Sequence, residues 1–476
     1  MNQPRPLDWV GVEDPWVGVT VDLNALRHIV CEVLRVSATE CGEPTAIGLQ
    51  HQRAYARVYM FKLPGYNVVA RLVAPLKPLF KTEGEVGAMD FVRSATSLPV
   101  PKVFAYCSEA TNPVGVEWVL MEYMPGIEMG DAWDGMTLTQ KRRLALDLVD
   151  LYDQLSRLRA AGIGSIYHSV YSVDDRNIVV KSIIGDKCHT RYPRSPRWRP
   201  LSAESLTLLK THCSYPVKDG YNLGPLNDIS ILNYKLSIPS YSQTMPVFTT
   251  EEYVRLVSFN GNPTTRSDFD LPTREKFVEL FQSLHTLYCD TTVLGPRKAA
   301  FGFCFSHGDL HEGNIFIDPQ SGEITGIIDW EAAAFRPMWE AVSGVGWFAE
   351  DTQRFIYSSE DPENFADDTT EDAKLRAFFR NKLYDRNPDL FSCFYGGIEL
   401  RAILAAATDI PRPIGQSELF LRRYYYEGYW NEARRGPFPW NMLEWQYKRV
   451  YLDRIEMKRL AALSEAASHE NHELMT

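Results

Sequence analysis

Three side chains at fixed spacing bound the chemistry open to this chain. Asp309 and Asn314 stand five residues apart in Phe305-Ser-His-Gly-Asp-Leu-His-Glu-Gly-Asn-Ile-Phe-Ile-Asp318, and Asp329 follows fifteen residues later in Gly326-Ile-Ile-Asp-Trp-Glu331. A carboxylate and a neutral amide close together, with a second carboxylate returned beside them, is a set that suits phosphoryl transfer. An acceptor hydroxyl must be held in line with the phosphate and must lose its proton, a task for Asp309. Mg2+ must neutralise the charge building on the phosphate oxygens, and it takes oxygen donors, a task for Asn314 and Asp329. Taken singly, Asp309 reads as a turn residue or helix cap, and only its company makes it chemical. His307 reads as a structural residue that holds the loop through a backbone hydrogen bond. His311 has no Cys or His partner at ligand spacing, so it makes no metal site.

The elements that must position these groups are legible in outline. Asn314-Ile-Phe-Ile317, the turn Asp318-Pro-Gln-Ser-Gly322 and the run Glu323–Ile328 form a hairpin that returns Asp329 to Asn314. Residues 55–61 and 66–73 are β-rich runs around Lys62-Leu-Pro-Gly65, a second hairpin. Arg71 alternates with Val69 and Val73, which puts a cation on one face of an apolar strand and reads as functional, with an edge-strand charge as the alternative. Thr82 to Ser97 reads as a helix with Thr82 and Glu85 as a capping box and Val86, Met89 and Val92 on one face. Strands are expected at 99–106 and 117–123, a break at Pro125-Gly126, and a helix over 139–159 with Leu144, Leu148, Leu151 and Leu155 in register.

The expected organisation is an N-terminal extension (1–44), a small β-rich lobe (45–125), a larger helical lobe (126–465) and a polar tail (466–476). Residues 164–265 are Tyr-, Ser- and Pro-rich with little periodicity and read as an insertion with short elements of its own. Helix is expected again over 274–288. Arg191-Tyr-Pro-Arg-Ser-Pro-Arg-Trp-Arg-Pro200 reads as a solvated loop, with a grip on an anion or partner as the alternative. The aromatic run Tyr424–Trp430, with Trp440 and Trp445, reads as packing among C-terminal helices.

Composition narrows the classes further. Of 476 residues, 45% are hydrophobic, which excludes a disordered chain. Fifty Lys and Arg against 61 Asp and Glu give a formal charge of −11, which argues against sequence-independent nucleic-acid binding. The eight cysteines are scattered and read as free thiols. The chain shows no apolar run long enough to span a membrane, and its acidic first residues lack a leader's pattern, so a cytosolic protein without membrane partners is the expectation.

The motif His307-Gly-Asp-Leu-His-x-x-Asn314 followed by Ile-Ile-Asp-Trp-Glu331 resembles the aminoglycoside phosphotransferase family, fungal members included, within the protein-kinase-like superfamily. Asp309 and Asn314 keep the spacing of Asp and Asn in the kinase catalytic loop. Val69-Ala-Arg-Leu72, Thr82-Glu-Gly-Glu85, Pro99-Val-Pro-Lys-Val103 and Leu120-Met-Glu-Tyr-Met-Pro-Gly126 agree with it. The resemblance implies an α+β, two-lobed kinase-like fold and an ATP- and Mg2+-dependent transfer to a hydroxyl of a small molecule. It implies Asp309 as catalytic base, Asn314 and Asp329 as Mg2+ ligands, and Arg71 in the place of the phosphate-binding lysine. Glu85 would pair with Arg71, although Glu83 fits after a register shift. Met121 to Met124, with Glu122 and Tyr123 between, would be the hinge whose backbone reads adenine.

Two departures stand out: arginine replaces lysine at 71, and the phosphate lid Gly48–Tyr55 is almost without glycine, leaving Gln50 and Arg53 as side-chain substitutes. They keep open a non-enzymatic relative that binds nucleotide or a partner. A protein kinase is the other rival, against which stand the missing H-R-D, D-F-G and A-P-E motifs.

Overall fold

The two β-rich runs around Pro64-Gly65 pair as expected. The computed structural model describes residues 15–48, 56–169 apart from 76, 182–184, 187–189, 197–227 apart from 219, 246–260, 302–343 and 371–397, with isolated positions between 281 and 404. Strands β1 (Thr45–Ile47), β2 (Ala56–Leu63), β3 (Tyr66–Val73), β4 (Val103–Cys107) and β5 (Glu117–Glu122) form an antiparallel sheet in the order β1-β2-β3-β5-β4. β3 is therefore central, with Arg71 opposite Val58 on one side and Val119 on the other, and the edge-strand reading of Arg71 does not hold. Alternation along β3 explains its double burial. Val68, Ala70 and Leu72 pack with Leu26, Ile29 and Val30 of α1 (Leu23–Leu34), while Val69 packs with Val86, Met89 and Val92 of α2 (Phe80–Ala95).

α2 starts two residues earlier than the sequence suggests, and Thr82 does not cap it. Its cap comes from the sheet: Glu117 accepts the Leu79 N–H at 2.7 Å and the Thr82 hydroxyl. After β5 the chain crosses at residues 123–126 to β6 (Ile127–Glu128) and the short α3 (Met129–Ala132). α4 (Leu138–Arg157) opens the second lobe, capped by a reciprocal Thr137–Gln140 box, and it buries Leu144, Leu148, Leu151 and Leu155 as its spacing requires.

The second lobe places two short sheets against α4. β13 (Phe303–Ser306) lies between β7 (Arg159–Ala160) and β16 (Ala334–Pro337), and the hairpin of β14 (Ile315–Ile317) and β15 (Ile324–Ile327) is extended by β6. Helices α7 (Met338–Ala341), α8 (Glu371–Arg386) and α9 (Pro388–Gly396) pack behind. The segment read as an insertion contributes β8 (Ser165–His168), β9 (Ser182–Ile184), β10 (Lys187–His189), α5 (Ala203–His212), β11 (Tyr215–Lys218), β12 (Tyr221–Gly224) and α6 (Thr250–Asn260), with β11, β12 and β8 forming one sheet.

The solvated-loop reading of the basic run is corrected at its end. The Arg197 side chain is buried against Glu83, and Trp198 packs at a tilt of 59° against Trp118, ring centroids 5.9 Å apart. Residues 191–196 and the aromatic run Tyr424–Trp430 with Trp440 and Trp445 lie outside the described residues, as does most of the helix expected over 274–288. Cys31, Cys41, Cys107, Cys213, Cys304 and Cys393 are free thiols. No helix among the described residues is long and apolar enough to cross a membrane.

Candidate functional site

The loop after β13 turns at Gly308, whose φ of +83° is left-handed and whose Cβ, were there one, would sit 2.1 Å from the Ala332 carbonyl. Only glycine fits there. His307 closes the loop from inside: its Nε2 lies 2.8 Å from the Ile328 carbonyl and its Nδ1 accepts the Asp309 N–H at 3.4 Å. Burial pulls the His307 pKa down to about 4, against the support of the Ile328 bond. One neutral tautomer, with the proton on Nε2, satisfies both contacts.

Asp309 is half-buried, with His311 Nε2 at 3.9 Å from its carboxylate. Asn314 donates from Nδ2 to the Asp309 carbonyl at 2.9 Å, which turns its amide oxygen away from that contact. The hairpin does what its turn residues dictate. Ile315 faces Ile327, the Ile328 N–H donates to the Asn314 carbonyl at 3.0 Å, and Asp329 follows at once. Asp318 fixes the turn by accepting the N–H groups of Gln320 and Ser321 at 2.7 and 3.1 Å. Asp329 itself is left-handed (φ 65°, ψ 60°), a strained conformation for a residue with a Cβ.

Arg71 of β3 gathers the site from two other parts of the chain, α2 and the loop after β15. Its Nη1 pairs with Glu85 of α2 and, at 2.8 Å, with Asp329; its Nη2 pairs with Glu331. Lys81 of α2, fully buried, adds a second cation 2.9 Å from Glu331. With all groups ionised, three carboxylates against two cations leave one negative charge. Burial pushes Glu85 up to about 7, offset in part by Arg71 and reinforced by Glu331 and Asp329. Burial likewise raises Asp329, with Arg71 opposing. Burial would raise Glu331 too, but Arg71 and Lys81 together hold it below the usual carboxylate range.

The register question at α2 is answered: Glu85 meets Arg71, and Glu83 faces the opposite way. Residues 123–126, after the end of β5, lead to β6. The Glu122 N–H donates to the Lys102 carbonyl at 2.9 Å and its carboxylate accepts the Lys102 N–H at 3.1 Å. Met124 is buried over Gly326, where a Cβ would lie 2.7 Å from its own. Tyr123 lies half-buried between them. Of the lid Gly48–Tyr55, including Gln50 and Arg53, only Gly48 falls among the described residues.

Sequence reasoning assigned no role to Glu331 or Lys81. Glu331 adjoins Asp329 and could have been suspected; a lysine in a helix's first turn gives no such signal. Next to Gly308 and Leu310 lies a cavity of about 270 Å³ whose walls include Tyr152, Tyr253, Arg336 and Glu340.

A five-stranded sheet joined by a hinge to a helical lobe, with a buried Arg–Glu pair beside a Gly-Asp loop and a carboxylate-bearing hairpin, defines a kinase-like two-lobed α+β protein. Residues 51–182 and 265–377, just over half of the chain, match the phosphotransferase enzyme family, and the chain belongs to that family. A subtelomeric hrmA-associated cluster protein of Aspergillus fumigatus is 26% identical over 294 residues, covering 57% of this chain and 54% of that protein. The protein named altered inheritance of mitochondria protein 9, mitochondrial, is 24% identical in Yarrowia lipolytica (62% of this chain, 50% of that protein). Its Saccharomyces cerevisiae counterpart is 22% identical (77% and 61%). The chain thus spans about half the length of the curated relatives it matches. A solved ternary complex of the aminoglycoside phosphotransferase APH(4)-Ia with ADP and hygromycin B is 10% identical, covering 81% of this chain and 91% of that one; its TM-score of 0.39 carries no further argument. The cytosolic expectation is corrected by these names: the Yarrowia and Saccharomyces relatives are mitochondrial proteins, so the acidity of the first residues is no guide to compartment.

Proposed function

We propose that the protein is a Mg2+- and ATP-dependent phosphotransferase that moves the γ-phosphate to a hydroxyl of a small molecule. The observation that carries this reading is the convergence on Arg71 of Glu85 from α2 and Asp329 from the hairpin. Asp309 is the base that orients the acceptor hydroxyl and takes its proton. Asn314 and Asp329 fit a Mg2+ ion chemically: both offer oxygen, the surrounding cluster carries one negative charge once Glu85 and Asp329 are ionised, and Mg2+ would supply neutralisation of the phosphate charge. Arg71 and Lys81 are the cations available to α- and β-phosphates, and the backbone of Glu122, Tyr123 and Met124 is where adenine docks. The cavity beside Gly308 is at the small end for ligand sites, which supports an acceptor of modest size. In this reading residues 45–125 are the nucleotide lobe and 126–465 carry the acceptor side.

Asp309→Asn tests the assignment. ATP turnover over a panel of hydroxyl acceptors should fall by roughly 10²–10⁴-fold while the Mg2+·ATP-induced melting shift persists. Full activity in that variant would end the proposal. A second reading, nucleotide binding without transfer, is favoured by Arg71, whose guanidinium is already shared among three carboxylates. A wild-type melting shift with no turnover over any acceptor selects it.

A further inference from the structure

The helix that carries Glu85 is gripped on two sides. Its inner residues meet the Asp329 loop, Lys81 directly at Glu331 and Glu85 through Arg71, while its outer residues meet residues 165–169 and the described part of 197–227. Arg197, its side chain 6% exposed, places Nε 3.1 Å and Nη2 2.7 Å from the two oxygens of the Glu83 carboxylate. The Tyr106 and Ser108 hydroxyls complete that carboxylate's shell at 3.0 and 2.6 Å. Further along α2, Asp90 accepts from Tyr221 at 2.8 Å and sits 2.9 Å from His168.

A second line of contacts runs back to the metal-loop side. The Ser165 hydroxyl donates to the Ala333 carbonyl at 3.0 Å, two residues beyond Glu331. The same Ser165 oxygen accepts the Asn227 N–H at 2.9 Å, and Asn227 Nδ2 donates to the Phe80 carbonyl, at the start of α2, at 3.0 Å. Ser165 and Asn227 are fully buried. α2 is shaped for this approach: a Cβ at Gly84 would lie 2.4 Å from Asn227 Nδ2, and one at Gly87 2.7 Å from the Ile166 carbonyl.

Building on the phosphotransferase reading, we infer that residues 165–169, 197–218 and 220–227 form a brace that fixes α2 against the Asp329 loop, with Arg197 and Asn227 as positioning residues for the Arg71–Glu85 pair. Neither touches the proposed nucleotide site; each acts through α2. A helix held in its paired position keeps the nucleotide site assembled before ligand arrives, so the whole population is competent to bind. Releasing the brace lowers that fraction, which weakens apparent affinity and leaves the chemistry of the bound complex intact.

The test is hydrogen exchange of the full chain, read on α2 and α4 amides, in wild type, Asn227→Ala and the double variant Glu83→Gln/Arg197→Met, which leaves no buried charge orphaned. The α2 amides should exchange about tenfold faster or more in both variants, from the loss of one charge-assisted pair or one buried bond, while α4 keeps its protection. KM for Mg2+·ATP should rise several-fold with kcat at saturation little changed, and Arg197→Lys should recover part of the loss. Unchanged α2 exchange overturns the brace, and so does equal acceleration of α2 and α4, the mark of mere loss of stability. A wild type that neither binds nor turns over ATP overturns the phosphotransferase reading instead, while the exchange contrast still decides the brace.

Discussion

His307 is held neutral because its ring is buried and its two nitrogens already have a donor and an acceptor role to fill. Its pKa of about 4 lies below the unfolded value near 6.5, so between those values the unfolded chain binds more protons and stability rises with pH. His307→Ala should cost about 2–3 kcal/mol by orphaning the Ile328 carbonyl and the Asp309 N–H, and should flatten the stability profile over that acid window, read by urea melts at several pH values. Glu85 works in the opposite sense. Burial raises it to about 7, so its neutral form stabilises the fold at low pH and that contribution is lost as pH rises from about 4.5 through 7. The same ionisation charges the partner of Arg71. Under the proposed function, turnover should therefore climb as pH passes about 7, and Glu85→Gln should lose that limb of the rate profile while its stability becomes less sensitive to pH over the same range.

At the scale of elements, Gln140 ties the turn of the site hairpin to α4, and Asp147 of the same helix accepts the Ile324 N–H at 3.0 Å. Gln140 completes the Thr137 capping box through Oε1, and through Nε2 it donates to the Pro319 and Gln320 carbonyls of the β14–β15 turn at 2.8 and 2.9 Å. Gln140→Glu keeps the acceptor and removes the donor. It should loosen the turn at a cost of about 1 kcal/mol, seen as faster amide exchange at 318–323 with α4 unaltered. That hairpin was readable from sequence because its determinants are local: Asp318, Gly322 and the flanking isoleucines all sit within the element. The start of α2 was not, because its cap is Glu117 on another strand. Nor could Glu83 be told from Glu85, since both are buried and both pair with arginine, on opposite sides of the helix. Arg197 was misread for a similar reason. Its partner lies 114 residues upstream, and its own segment carries no periodicity from which burial could be inferred.

At the scale of the molecule, the lobes share one core. Val86, Met89 and Val92 of α2 and Val69 and Val119 of the sheet belong to the same buried cluster as Leu144 and Leu148 of α4, Phe305 of β13 and Phe379 of α8. The second cluster, where Leu26, Ile29 and Val30 of α1 cover the outer face of the sheet with Trp118 and Leu120, is peripheral to it. Damage to the two should spread differently. Met89→Ala removes a side chain that is 1% exposed, and should cost about 2–5 kcal/mol, a large share of the 5–15 kcal/mol that holds a typical domain together. Because α2 is common to both lobes, exchange protection should fall by similar free energies in β5 and in α4, and the described core should melt in one lowered transition. Ile29→Ala, in the outer cluster, should instead raise exchange in α1 and leave α4 protected, a local opening. If Met89→Ala were to deprotect the sheet while sparing α4, the lobes would open independently in spite of the cluster they share.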